Sequence, residues 1–238
     1  SDVYKRQDER FGEDATAVFN MLSGYSEPKS WNRLIVAPIW MKDRFLKMIE
    51  REAEHAKKGM PGMIVAKMNS LCDKGIIAAL YEASAAGVKI DLIIRGICCV
   101  KAGIPGVSEN IRVRSIVGTF LEHSRIFCFG NGGNEEIYMG SADWMPRNLD
   151  KRVEILFPVE DDALKAEVIH ILDIQLADNE KARILQKNGT YRRAAKGGHA
   201  KLNSQKYFCE EAKRAQKERK KQNKNTHTFE PLHSVPEE

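Results

Sequence analysis

The chain has 238 residues, of which 42% are apolar, enough for a packed core in one large or two small domains. No stretch approaches the ~18 consecutive apolar residues of a membrane span, and no charged-then-apolar leader marks a secretory signal. The net charge of +5 is spread unevenly, and the five cysteines (Cys72, Cys98, Cys99, Cys128, Cys209) show no metal-ligand spacing, which reads as free thiols in a reducing cytosol.

In chain order, residues 1–7 have no apolar periodicity and are read as a cloning scar outside the fold. Asp14 to Met21 predicts a short helix, ended by the Ser23-Gly-Tyr-Ser26 turn. Leu34 to Ala37 predicts a strand stopped by Pro38. Lys42 to Lys58 predicts an amphipathic helix with Phe45, Ile49, Ala53 and Ala56 on one stripe. Met63 to Met68 is the next strand, Asp73 to Ala85 a helix with Asp73 as its cap, and Val88 to Ile94 a third strand. Strand, helix, strand, helix, strand at this spacing predicts a parallel sheet with crossover helices.

Four further strands follow, at 111–117, 125–129, 135–139 and 152–157, with Asn131-Gly-Gly-Asn134 as a hairpin turn. Asp161 to Ala177 predicts a helix carrying Leu164, Val168, Ile171 and Leu172 inward. Beyond Gly189 the chain turns polar, with a charged helix expected over 204–222 and disorder over 226–238. The expected domains are therefore a scar plus remnant at 1–32, an α/β domain at 33–190 and a basic tail at 191–238.

His123-Ser-Arg125 is the first candidate site. On a strand, residues i and i+2 share a side, so imidazole and guanidinium would face one space and suit histidine chemistry on a phosphate. Taken alone, such a histidine is more often a satisfied structural residue. Gly140-Ser-Ala-Asp143 adds small residues that admit a phosphate to the backbone, with Ser141 as a hydrogen-bond donor. Arg95 ends a strand, where open α/β sheets bind ligands, and reads as a phosphate clamp or a surface ion pair. Arg112 and Arg114 alternate to one face and read as solvent-side charges. Asp143-Trp-Met-Pro-Arg-Asn-Leu-Asp150 reads as a site loop containing Asn148. Arg152 and Glu154 share the following strand's face, so one clamps phosphate while the other orients a histidine, or the two pair.

His-x-Arg followed by Gly-Ser-x-Asp is similar to phospholipase D-like phosphoryl-transfer sites, which need two copies; one is present. Gly87 to Cys99, Ser108 to Gly118, Phe120-Leu-Glu-His-Ser-Arg125 and Gly140 to Asp150 resemble the bacterial polyphosphate kinase family of the large, four-domain type. The resemblance covers about residues 8 to 190. It implies a phospholipase D-like mixed β-sheet flanked by helices, with a short N-terminal remnant and a polar C-terminal tail. It implies reversible transfer of the terminal phosphate of ATP, giving ADP, to inorganic polyphosphate through a phosphohistidine and with Mg2+. It places His123, Arg95 and Arg152 at nucleotide-phosphate contacts, beside the candidates Arg125, Ser141, Asp143, Asn148 and Glu154 read from the residues themselves. The family's autophosphorylated histidine and Mg2+-linked arginines fall upstream of these residues, so the chain is expected to be a truncated open reading frame without the nucleophile, inactive alone. The resemblance further implies a cytoplasmic homo-oligomer with peripheral membrane association and no nucleic-acid partner. The alternatives are a phospholipase D-like phosphodiesterase or nuclease, and a catalytically silent polyanion-binding fragment.

Overall fold

Each helix starts where an acidic side chain caps free N–H groups or an apolar stripe begins. A computed structural model describes residues 8–195, 198 and 200–225, so the expected scar and the expected disordered end lie outside the described residues. Helix α1 (Glu9–Leu22) is capped by Asp8, which accepts from Arg10 N–H. Strand β1 (Ile35–Ala37) and helix α2 (Met41–Lys57) follow, α2 burying Phe45, Met48, Ile49 and Ala53 at helical spacing. Strand β2 is Met63–Met68. Asp73 caps α3 (Lys74–Ala85) through Ile76 N–H, as its position predicts. Strands β3 (Lys89–Ile94), β4 (Ile111–Ser115), β5 (Arg125–Phe129) and β6 (Glu136–Gly140) come next. The turn between β5 and β6 carries positive φ at Asn131, Gly132 and Gly133, and it is the expected hairpin. A short helix α4 (Pro146–Asp150), strand β7 (Glu154–Val159) and α5 (Asp162–Ala177), capped by Asp161, complete the predicted region. Two short strands, β8 (Arg183–Leu185) and β9 (Tyr191–Arg193), and α6 (Ser204–Asn225) end it.

Among the described residues the nine strands form one mixed sheet in the order β1-β7-β6-β5-β2-β3-β4-β8-β9. Only β2–β3 and β3–β4 pair in parallel. The expected parallel β1-α2-β2 unit does not form: β1 crosses to the far edge and pairs antiparallel with β7, Ile35 opposite Leu156. The physical reason is burial. Val36 and Ala37 are fully buried there, under α2 and α4, whereas β2 already has β5 and β3 on its two sides.

Strand alternation divides the core. Ile64, Ala66 and Met68 join Phe45, Ile49, Ile76, Leu80, Phe127 and Trp144 on the α2–α3 face, and Val65, Ile93, Ile126 and Cys128 meet Val168 and Leu172 of α5 on the other. Leu164, expected inward, is half exposed in the first turn of α5. Arg114, expected on the solvent side, donates to the Gln175 and Leu176 carbonyls at the end of α5, where a cation satisfies carbonyls with no helical partner. The expected boundary at 190 falls inside the β8–β9 hairpin, which extends the sheet, and α6 packs on α5 through His170, Tyr207 and Phe208.

Asp178 ties these last elements together. Its Oδ1 accepts from the N–H groups of Glu180, Lys181 and Ala182 at 3.0, 2.7 and 3.1 Å, and its Oδ2 from Ser204 N–H and Oγ at 2.8 Å each. Burial pushes this carboxyl up, but the donors from Ser204, Lys181 and Ala182 outweigh it and hold the group below its ordinary 3.8. The folded chain then binds fewer protons than the unfolded one, so stability rises with pH through this window and is lost as pH falls from 3.8 toward the folded value. Asp178→Asn is expected to flatten that dependence. Thermal melts between about pH 5 and pH 2 should fall less steeply for the variant than for the parent.

Candidate functional site

One edge of the sheet collects the candidate residues. Strands β2, β3 and β6 end there and the antiparallel β5 and β7 begin there, so Asn69, Arg95, Arg125, Gly140 and Glu154 emerge side by side. At the centre, Gly140 lets β6 approach β7 closely, since a Cβ on it would lie 2.3 Å from the Ile155 carbonyl oxygen. The chain leaves β6 as Ser141-Ala-Asp143, and buried Asp143 accepts from Asn69 N–H at 2.8 Å and from Arg125 Nε at 3.1 Å, both on Oδ1. Arg125 is thereby a largely buried guanidinium with the anionic partner that its residue type calls for.

His123 precedes β5 by two residues and does not lie on the strand, so strand alternation is not what brings it to Arg125. Instead the guanidinium reaches back: Arg125 Nη1 donates to the His123 carbonyl at 2.7 Å and lies 3.0 Å from Nδ1 and 3.2 Å from Nε2. The imidazole is exposed.

Glu154 is buried, and one carboxylate oxygen takes the Ser141 hydroxyl while the other takes the Asn148 amide. Its oxygens therefore hold a serine and an asparagine where the sequence reading placed a histidine or Arg152. The Ser141 hydroxyl is equally committed, accepting in turn from Ile155 N–H at 3.2 Å. Arg152 comes before β7, not on it, and its backbone N–H donates to the Arg147 carbonyl at 3.0 Å. The predicted site loop contains the short helix α4, because Pro146 occupies its first turn and needs no N–H partner there.

A cleft of about 560 Å³ is lined by Asn69, His123, Arg125, Gly140, Ser141, Asp143, Arg147, Asn148, Arg152 and Glu154. Arg95 stands behind it, donating through Nε to Asn69 Oδ1 at 2.9 Å. Neither Asn69 nor Arg147 was named as a site candidate from the sequence. Asn69 carried a usable signal, since it ends β2 as Arg95 ends β3; Arg147 carried none apart from its charge.

Two exposed guanidiniums, Arg147 and Arg152, face this cleft without an ion-pair partner among the described residues. With Arg125 they outnumber the two cleft carboxylates, both already hydrogen-bonded. The cleft is therefore built for an anion, and planar guanidiniums suit the oxygens of a phosphate. A magnesium ion does not fit the residues present. Asp143 and Glu154 are taken by Arg125, Asn69, Ser141 and Asn148, and no cluster of three or more metal-ligating side chains occurs among the described residues.

The model of the family described as "Polyphosphate kinase C-terminal domain 2" matches residues 34–205. A polyphosphate kinase of Synechocystis sp. is 61% identical over 180 residues, covering 76% of this chain and 25% of the relative. One from Thermosynechococcus vestitus is 54% identical over 201 residues, 82% of this chain and 28% of the relative. The crystal structure of polyphosphate kinase from Porphyromonas gingivalis superposes with a TM-score of 0.84 at 42% identity, over 88% of this chain and 32% of that one. The chain thus spans about a quarter of the length of these curated relatives.

Proposed function

The chain belongs to the polyphosphate kinase family, and on that premise we propose that its cleft holds the phosphate groups of ATP and of inorganic polyphosphate during phosphoryl transfer between them. The observation that carries this reading is the pair of guanidiniums without an ion-pair partner among the described residues, Arg147 and Arg152, converging with Arg125 and His123 on one cleft. In this reading a histidine other than His123 attacks the terminal phosphorus of ATP, ADP leaves, and the phosphohistidine so formed passes its phosphoryl group to polyphosphate. His123 holds a proton or charge opposite the phosphorus under attack, as a general acid does beside a nucleophile. Arg125 fixes His123, and the exposed guanidiniums hold equatorial phosphate oxygens as charge develops. Arg95 supports them by orienting Asn69.

The test is calorimetric titration of the chain with tripolyphosphate and with ATP, alongside His123→Ala, Arg152→Ala and Arg95→Ala and with duplex DNA as competitor. Losing one charge-assisted contact is worth about tenfold in affinity, so His123→Ala and Arg152→Ala should each weaken binding by about that factor, Arg95→Ala, which acts through Asn69, should weaken it less, and DNA should not compete. Binding that survives all three substitutions but yields to DNA would place the anion site on the Lys- and Arg-rich surface of α6 and overturn the assignment.

A further inference from the structure

The segment between β4 and β5 carries His123 with little apolar packing of its own: Val117, Phe120 and Leu121 all stay exposed. Something else must fix its backbone. Gln205, the second residue of α6, is buried and reaches it from the far end of the chain. Its Oε1 accepts from Phe120 N–H at 3.0 Å, while its Nε2 donates to the Phe120 carbonyl and to Glu122 Oε1, at 2.9 Å each. Glu122 Oε2 accepts from Gln175 Nε2 of α5 at 2.9 Å. Lys67 of β2, fully buried, donates to Ser124 Oγ at 2.7 Å and to its carbonyl at 3.2 Å, and lies 3.4 Å from Glu122. The residues on both sides of His123 are thus held, Glu122 by α5 and α6 and Ser124 by β2.

The chemistry leaves little choice of side chain at 205. One amide N–H must meet an acceptor, while a carbonyl and a carboxylate must meet donors; only a side-chain amide offers one acceptor and two donors in that geometry. A carboxylate would face the Phe120 carbonyl and Glu122 with no proton to give. The loop is fitted to the glutamine in return, because a Cβ on Gly118 would lie 2.3 Å from Gln205 Oε1. The start of α6 is fixed independently by Asp178 on Ser204, so Gln205 is presented from a rigid base.

We infer that Gln205 is a positioning residue for His123, through which α6 sets where the imidazole stands in the phosphate cleft. This rests on the proposed phosphate role of His123.

The experiment uses the full chain with Gln205→Ala, Gln205→Glu and, as a control on the same helix, Glu211→Ala. Glu211 holds α6 to His170 of α5 at 3.0 Å and does not touch the loop. Three quantities are read: the exchange rate of the Phe120 amide, the His123 ring-proton resonance in free protein, and tripolyphosphate affinity. Gln205→Ala is expected to speed Phe120 exchange about tenfold, as loss of one protecting hydrogen bond would, whereas Gln205→Glu keeps an acceptor for that N–H and should change its exchange little. Both variants should also move the His123 resonance and weaken tripolyphosphate binding about tenfold. Glu211→Ala should change none of these, though it loosens α6. An unmoved His123 resonance with unchanged affinity in Gln205→Ala would overturn the inference, as would equal changes in Glu211→Ala, which would make α6 a general brace. If the position-205 variants do not fold, Gly118→Ala strains the same contact from the loop side and must produce the same three changes. Should His123→Ala leave tripolyphosphate binding intact, the proposed function fails. The resonance and exchange readings still decide whether Gln205 positions the ring.

Discussion

Asp143→Ala is expected to destabilise the chain by about 3–5 kcal/mol, the range for removing one partner of a buried ion pair. The carboxylate is 2% exposed and one oxygen serves both Arg125 Nε and the Asn69 amide. Alanine leaves a nearly buried guanidinium without its anion and an N–H at the end of β2 without its acceptor, two separate costs in a place water reaches poorly. Asp143→Asn keeps the shape and one acceptor oxygen but removes the charge, so it should fall between the parent and alanine. Urea denaturation checks both: the midpoint should drop in that order at constant slope. A midpoint unchanged in Asp143→Ala would mean that Arg125 finds another partner, and the scaffold assigned to the cleft would be wrong.

Trp144→Ala is expected to cost about 3–5 kcal/mol as well, the range for emptying a buried aromatic site. The indole is fully buried, 5.2 Å between ring centroids from Phe127 and 5.4 Å from Phe45. It therefore joins α2, β5 and the segment after β6 in one cluster. Its carbonyl also accepts from the N–H groups of Cys72 and Asp73, at 2.9 and 3.0 Å, which seats the start of α3. Because the indole N–H has no partner among the described residues, Trp144→Phe gives up volume without breaking a hydrogen bond and should cost much less than alanine. Urea midpoints for the two variants, with tripolyphosphate affinity measured far below the transition, test this. Lost affinity at unchanged stability would place Trp144 on the cleft wall instead.

Trp144 shows where sequence reasoning stops. Asp143-Trp144 sits between charged residues, and nothing in the local pattern says that one side chain turns to the interior while its neighbours line a cleft. The helices fared better because their signals are local: Asp73 and Asp161 cap where they stand, and the stripe of α2 repeats at the helical period. Strands β8 and β9, three residues each and carrying arginines, have too little alternation to be seen. The sheet order was invisible for a different reason, since nothing in Ile35-Val-Ala37 distinguishes a strand beside β2 from one beside β7.

At the cleft, residue types pointed to Arg125, Asp143 and Glu154, but not to their partners. A carboxylate two residues from an arginine suggested a pair; the fold instead gave Glu154 to Ser141 and Asn148. Gln205 lies 82 residues beyond His123 in a polar helix, and only three-dimensional placement connects them.

The pairing of β1 with β7 also bears on how the chain is made. Ile35 emerges from the ribosome about 120 residues before Leu156, its partner. At roughly 5–20 residues per second it waits roughly 6–24 seconds. Through that interval α2, β2, α3 and β3 can assemble, since their contacts are close in sequence. The apolar run Leu34 to Ala37 stays an open strand edge, of the kind that recruits chaperones or other nascent chains. A ribosome pausing just short of β7 would prolong that exposure, whereas one pausing after β7 would not. The yield of folded chain should therefore depend on translation speed over the residues between β1 and β7 more than on speed over the residues before β1.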